Sequence, residues 1–344
     1  MGAPEVLAAP HEAEAHVAAW RTLVASQPWP SYFATPDWQL AWWEVLAPSR
    51  PARLALWHGP EGLEAVVGLT REPLHPRLRL LPGPWAAMGS GPGAADHLGW
   101  VVAPHRHDDV VRWLDRTIGR GTLLLAGFDP DAGAAGLVPG LRPVADTPCP
   151  RVDLDGPLPT GSSKLRKRVR YDERKLAEEG LSFGWLAPGQ VTPDVLDDLV
   201  ALHGSRAGEQ GWATSFTADR RRFHLALLRR ATTDCGPAAV VARRGEEVVG
   251  VLYGFRWGTT FAYYQTGWDQ SLARFGLGTV LVANAMQAAH AAGCRVFDFL
   301  RGPEPYKYRF GATDRHDTTW VRGRGPLARW VVSRHTPASG EART

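Results

Sequence analysis

Between Val248 and Phe310 the chain lays down two apolar strand-like runs, a glycine-spaced turn, a long alanine-rich helical run and a third strand-like run. That order leaves few folds open. The first two runs, Val248 to Trp257 and Thr259 to Thr266, meet at Gly258 and read as an antiparallel pair. The turn is Arg274-Phe275-Gly276-Leu277-Gly278-Thr279, the helix is expected through Ala292, and the third strand over Arg295 to Leu300. A helix between two strands of one sheet is a crossover. Several backbone N–H groups therefore gather at a helix N-terminus just beyond the sheet, where a phosphorylated cofactor can be held.

The rest of the chain is long enough to build a second core. Its 344 residues correspond to two domains at roughly 100 to 200 residues each. Hydrophobic content of 44% with 22% charged residues is that of an ordinary globular protein. No run of about 18 apolar residues occurs, so no membrane span is expected. Glu5, Glu12 and Glu14 stand where a secretory leader would be basic, and a cytoplasmic protein is expected. The formal charge of +4 permits an anionic ligand without requiring nucleic acid, and no DNA partner is expected. Cys149, Cys235 and Cys294 have neither metal-ligand spacing nor a disulfide framework and read as buried free thiols. His105 and His107 open a helix beside Asp108 and Asp109, where acids suit the helix dipole, so no metal site is expected.

In the first half, Glu5 to Ser26 is alanine-rich and reads as helical. Thr35-Pro36-Asp37 is a helix start, an N-cap followed by proline at the first helical position, and Trp38, Trp42 and Leu46 form its core stripe. Strands are expected at Arg53 to His58, Leu63 to Thr70, Thr122 to Ala126 and Cys149 to Leu154, with an extended element at His97 to Val102 and a helix over Arg106 to Ile118. Prolines and glycines break the apolar runs between Pro73 and Gly93, including Arg77 to Leu81.

Gly156, Pro157, Pro159 and Gly161 form a linker, after which Ser162 caps a charged helix ending at Gly180. A strand over Leu181 to Leu186, a helix from Pro193 to about His203, a helix from Thr217 to Ala231 and a strand over Ala238 to Arg243 precede the informative stretch. A strand near Thr318 to Arg322 and a helix over Leu327 to Val332 follow it. The periodicities make an α/β or α+β protein with domains at 1–156 and 157–335 and a flexible tail at 336–344.

Specific residues carry a resemblance. Leu202-His203 after an apolar helix, Phe223-His224 in the next helix, the hairpin VVGVLYGFRWGTTFAYYQTGWD, and above all Phe297-Asp298-Phe299-Leu300-Arg301-Gly302 followed by Glu304 and Tyr306-Lys307-Tyr308 resemble the CelD/BcsL-type (BioF2-like) acyltransferase domain. That family belongs to the GNAT superfamily and is related to the Fem aminoacyltransferases. The resemblance runs over about Ser162 to Arg322 and implies tandem GNAT-like domains, the N-terminal one degenerate, each a mixed, mostly antiparallel sheet flanked by helices. It departs at Ala273, where a standard pyrophosphate loop has Gln or Arg, although Arg274 follows.

What the resemblance implies is an acyltransferase moving an acyl group, foremost acetyl, from acetyl-CoA or another acyl-CoA to an amine or hydroxyl of a small-molecule or glycan-precursor acceptor. The cofactor would lie on Phe275, Gly276, Leu277, Gly278 and Thr279, with its arm beside Tyr264, Gln265 and Thr266. Glycine allows close backbone approach and Thr279 adds a hydroxyl. His203, with a reference pKa of about 6.5, or Asp269 would take a proton from the acceptor, and Tyr306 would return one to the thiolate. Asp298, Glu304 and Lys307 would contact the acceptor, and a homodimer is compatible. Two other readings stand: a Fem-like transferase using aminoacyl-tRNA, drawing on the basic helix Lys164 to Lys175, and a non-catalytic binding or scaffold protein of polysaccharide or envelope assembly.

Overall fold

The computed structural model describes residues 2–28, 31–73, 82–91, 93–209 and 217–335; the run Arg77 to Leu81 and the tail 336–344 lie outside them. The chain divides into two compact units, the first made of the described residues up to Thr147 and from His316 onward, the second of Pro148–Arg315. Each is a mixed sheet flanked by helices.

In the first unit β1 (Glu5–Leu7), β2 (Ala52–Gly59), β3 (Gly62–Pro73) and β4 (Pro82–Ala87) pair antiparallel in that order. A two-residue β5 (Val101–Val102) adds to β3, and β6 (Leu123–Phe128) runs parallel to β4. The helices are α1 (Val17–Ala25), α2 (Pro36–Ala41), α3 (His107–Ile118) and α4 (Ala134–Leu137). Helix is expected from Glu5 onward, but Glu5–Leu7 is a strand opposite Leu56, Ala55 and Leu54 of β2. A free sheet edge offers backbone hydrogen bonds that outweigh a weak helical propensity.

Thr35 caps α2 as its sequence requires, its hydroxyl accepting from the Trp38 amide at 3.5 Å. From Trp42 the helix widens into a π turn, closed by Ala47 N–H to the Trp42 carbonyl at 3.1 Å. Trp38, Trp42 and Trp57 are fully buried. At about 25 cal/mol per Å2 over some 200 Å2, each contributes several kcal/mol to this core.

The chain passes through β7 (Arg142–Asp153) into the second unit, where α5 (Ser163–Glu178), β8 (Leu181–Leu186), α6 (Pro193–Glu209) and α7 (Ala218–Arg230) precede β9 (Cys235–Arg244). Then come β10 (Glu247–Trp257), β11 (Thr260–Trp268), α8 (Leu277–Ala291), β12 (Val296–Asp298) and α9 (Pro305–Arg309). Strands β8 to β11 pair antiparallel in sequence, β11 is parallel to β12, and β12 is antiparallel to β7. Alternation along the strands sends Leu252, Phe261 and Tyr263 into a core with α5 and α8, while Tyr253 and Phe255 meet α7 on the other face. All three cysteines are buried, and none is in a disulfide.

Finally β13 (Thr313–Arg322) returns to pair with β6, and α10 (Gly325–His335) packs Val331 against Leu124 and Val321. No helix among the described residues is long and apolar enough to cross a membrane.

Candidate active site

The two strands at the centre of the second unit part company after three residues. The parallel register is Thr260 with Val296, Phe261 with Phe297 and Ala262 with Asp298, whereas β11 continues along β10 to Trp268. From Tyr263 onward no strand among the described residues lies along the β12 side of β11. Backbone groups on such an edge need partners. The Thr266 N–H donates to Gln265 Oε1 at 3.0 Å, and the Thr266 carbonyl lies 3.4 Å from His203 Nδ1. A bulge in β10 at Tyr253/Gly254 accompanies the parting, and a Cβ on Gly254 would meet the Ala262 carbonyl at 2.2 Å.

The motif after β12 is what turns the chain away. Leu300 has φ +57, uncommon for a residue with a branched side chain. Its amide is held by Asp298 Oδ1 at 2.8 Å. Lys307 Nζ lies 3.2, 2.8 and 2.9 Å from the carbonyls of Leu300, Arg301 and Gly302, and 2.8 Å from Glu304 Oε2. Lys307 is 3% exposed, and these contacts take up its donors. Asp298, Glu304 and Lys307, expected at the acceptor, thus form the clamp that ends β12 and opens the edge of β11. A short helix, α9, stands where only a loop is expected, and Tyr306 in it is half-buried with its ring 6.1 Å from Phe299.

His203 is held from the helix side. The expected helix end at His203 is not realised, because α6 runs on to Glu209 and puts the imidazole in mid-helix. The helix lies so close to β11 that a Cβ on Gly267 would stand 2.6 Å from the His203 amide nitrogen. Asp269 plays a different part, capping the 3-10 turn Gln270–Phe275 by accepting from the Ser271 amide at 2.9 Å.

Behind this edge lies a pair whose chemistry the sequence does not reveal. His224 Nδ1 is 3.1 Å from the Tyr253 hydroxyl, and Tyr264 stacks edge-on at 5.2 Å from both His224 and Phe255. Burial, aided by the Arg220 charge, pushes the His224 pKa down to about 3, and burial pushes Tyr253 well above its ordinary value. Both are neutral polar groups satisfying each other. The signal is the adjacency of Phe223 and His224 in the helix after the one expected to end at Leu202-His203; the partner, 29 residues on, needs the fold.

At the start of α8, Gly276 has φ +69, and its carbonyl accepts from Thr279 and Val280 at 2.9 and 3.1 Å. Leu277 is buried in the core, and Gly278 faces Trp268, whose Nε1 would be 3.0 Å from an added Cβ. A Cβ on Gly276 would stand 2.8 Å from Asp172 Oδ2. Asp172, 3% exposed on α5, is paired with Arg168 at 2.8 Å. A carboxylate therefore rests against the helix start where phosphate is expected, a position that the helix dipole favours for any anion. Phe275 is half-buried beneath the Arg274 guanidinium at 4.7 Å.

Ser162 caps α5 through the Leu165 amide at 3.1 Å. Of the basic residues on this helix, Arg166 bonds the Gly161 carbonyl, Arg168 pairs with Asp172 and Lys175 with Glu178. Lys167, Arg170 and Arg174 line an open groove of about 770 Å3 with Glu173, whose carboxyl is raised by burial against the opposing Asn284 hydrogen bond and Arg170 charge. In the first unit, the His105 ring lies 2.9 Å from Glu64 and His107 lies 3.8 Å from Asp108.

Residues 163–308 match the family described as an acetyltransferase (GNAT) domain, a match at superfamily level that does not single out the CelD/BcsL type. No curated protein matches the chain. Among solved structures, FemX aligns at a TM-score of 0.67 and 11% identity, covering 95% of this chain and 100% of that one. The C-terminal domain (DUF2156) of a putative lysylphosphatidylglycerol synthetase from Agrobacterium fabrum aligns at 0.61 and 15% identity, covering 97% and 99%. L-PGS from Bacillus licheniformis aligns at 0.54 and 13% identity, covering 83% and 90%. The likeness is one of fold: a GNAT-superfamily acetyltransferase fold related to that of FemX.

Proposed function

We propose that this chain is a tandem GNAT-like transferase that moves an aminoacyl group from the ester of an aminoacyl-tRNA to an amine or hydroxyl acceptor. The observation that carries the choice of donor is Asp172 at the start of α8. An acyl-CoA diphosphate on those amides would compete for the helix start with the Asp172 carboxylate, which Arg168 already holds there. An aminoacyl ester needs no diphosphate at that point. The stretch of β11 from Tyr263 to Gly267, past the end of its register with β12, is where an extended donor end would lie, with Tyr264, Gln265 and Thr266 beside it.

His203 is our choice of base, taking the proton from the acceptor as it attacks the ester carbonyl, and Tyr306 our choice of acid for the departing ribose oxygen. Backbone N–H groups of β11 past Ala262 would stabilise the oxyanion between the two steps. The acceptor belongs to small molecules or glycan precursors. Phosphatidylglycerol joins that panel because one of the similar structures carries the name of a putative lysylphosphatidylglycerol synthetase.

An acyl-CoA donor is the second reading, favoured by the acetyltransferase description of the family matching residues 163–308. Incubating the chain with charged tRNAs carrying labelled amino acids, and separately with acetyl-CoA, decides between them. We expect label to pass from tRNA to acceptor, tRNA binding to weaken steeply with salt, and His203→Ala to slow transfer about 10²- to 10⁴-fold without loss of tRNA affinity. Saturable acetyl-CoA binding by the unmodified chain would overturn the donor assignment.

A further inference from the structure

We propose a second ligand site, in the first unit, for a small soluble molecule carrying two adjacent phosphate groups. It goes beyond the transferase reading and does not depend on it. The turn after α3, the segment before β7, the end of β13 and α10 enclose a groove of about 1150 Å3. Arg120, Arg142, Arg322, Arg324 and Arg329 line it, and no acidic side chain does.

Arg322 is anchored, its Nη1 2.6 Å from Asp115 Oδ1. The other four have no carboxylate partner among the described residues. Guanidinium groups do not relieve their mutual repulsion by losing protons. An anion in the groove relieves it, and the planar fork of arginine suits the paired oxygens of phosphate. One phosphate leaves most of this charge uncompensated, whereas a diphosphate carries about three negative charges near neutrality. The backbone leaves room as well: a Cβ added at Gly140 or Gly325 would meet nothing within 4 Å, so a ligand can approach the main chain there.

The lining also argues for a small molecule. The arginines come from four separate segments around one hollow and do not form a stripe along which a nucleic-acid backbone could track. No aromatic side chain lines the groove to stack a base. None of the exposed large apolar residues, Val6, Tyr171 and Tyr308, lies in it, so nothing there would enter a lipid surface. The volume is that of a pocket for a ligand of ordinary cofactor size.

The test is calorimetric titration of the full chain with inorganic pyrophosphate and with orthophosphate, for the wild type, R324A/R329A, R120A/R142A, and K167A/R174A on α5 as control. We expect one saturable pyrophosphate site, orthophosphate about tenfold weaker, and a loss of about tenfold or more in each groove variant. The control should bind as the wild type does, and the groove variants should melt at the unliganded wild-type temperature, since all four side chains are exposed and have no hydrogen-bond or ion-pair partner among the described residues. Absence of saturable pyrophosphate binding, wild-type affinity in both groove variants, or an equal loss in the control would overturn the site. RNA binding that needs these arginines, in a chain that ignores pyrophosphate, would overturn it too, assigning the groove to a polymer backbone.

Discussion

At the level of single residues, the site is defined by polar groups that the fold has committed. Lys307 holds three carbonyls and Asp298 an amide, so the most specific stretch of the sequence is a device for bending the chain after β12. Its composition was legible; its purpose was not, because carbonyls leave no trace in a sequence. Tyr263 and Tyr264 alternate along β11, as neighbours on a strand must, one joining the α8 core and the other meeting His224. Asp172 was not legible, since only packing of α5 brings it to Gly276 from more than a hundred positions away. His224 gives a pH prediction. Its folded pKa of about 3 lies below the unfolded value of about 6.5, so between those values the unfolded chain binds a proton that the folded chain does not. Stability should therefore fall as pH drops through that window, by up to about 1.4 kcal/mol per pH unit from this group, and be independent of it above about pH 7. Urea titrations of the wild type and His224→Gln between pH 4 and 8 should show the variant with the shallower acid loss; parallel curves would refute the assignment.

Among the elements, those with strong periodicity or caps were readable: β8 and the starts of α2, α5, α7 and α8 fall where the residues put them. The misses share a cause. β1 is too short to alternate, and β4 contains Pro82 and Pro84, which suggest a loop, yet its Trp85 amide bonds the Thr122 carbonyl at 2.8 Å and its Leu69 and Arg71 neighbours in β3 complete the ladder. Pairing partners, not local preference, decided both. The close approach of α6 to β11 is an element-scale property with one point of failure. Gly267→Val would put branched carbon where the His203 amide and the Leu199 carbonyl stand at 2.6 and 3.0 Å from an added Cβ. We expect a loss of about 1 to 3 kcal/mol, read as a lower denaturation midpoint. Transfer should fall further than Gly267→Ala makes it fall.

For the whole molecule, the division into units does not follow chain order. The sequence suggests a boundary near residue 156 and a C-terminal domain running to 335, whereas the contacts put His316 and the described residues after it with the first unit. The cue was missing because β13 finds its partner, β6, almost two hundred positions earlier. A chain ending at Arg315 should accordingly lose β13 and α10 from the first unit, exposing Leu124 to water. We expect proteolysis of that variant to cut within the first unit and to spare Pro148–Arg315; equal protection of both would contradict it. The same connection has a consequence for biosynthesis. During translation the first unit emerges early but lacks a strand until Thr313–Arg322 has been made, while the second is complete in one contiguous stretch. The usual amino-to-carboxyl order of maturation is thus inverted, and the earlier half must wait on the ribosome, with one edge of its sheet open, until its younger neighbour has been synthesised.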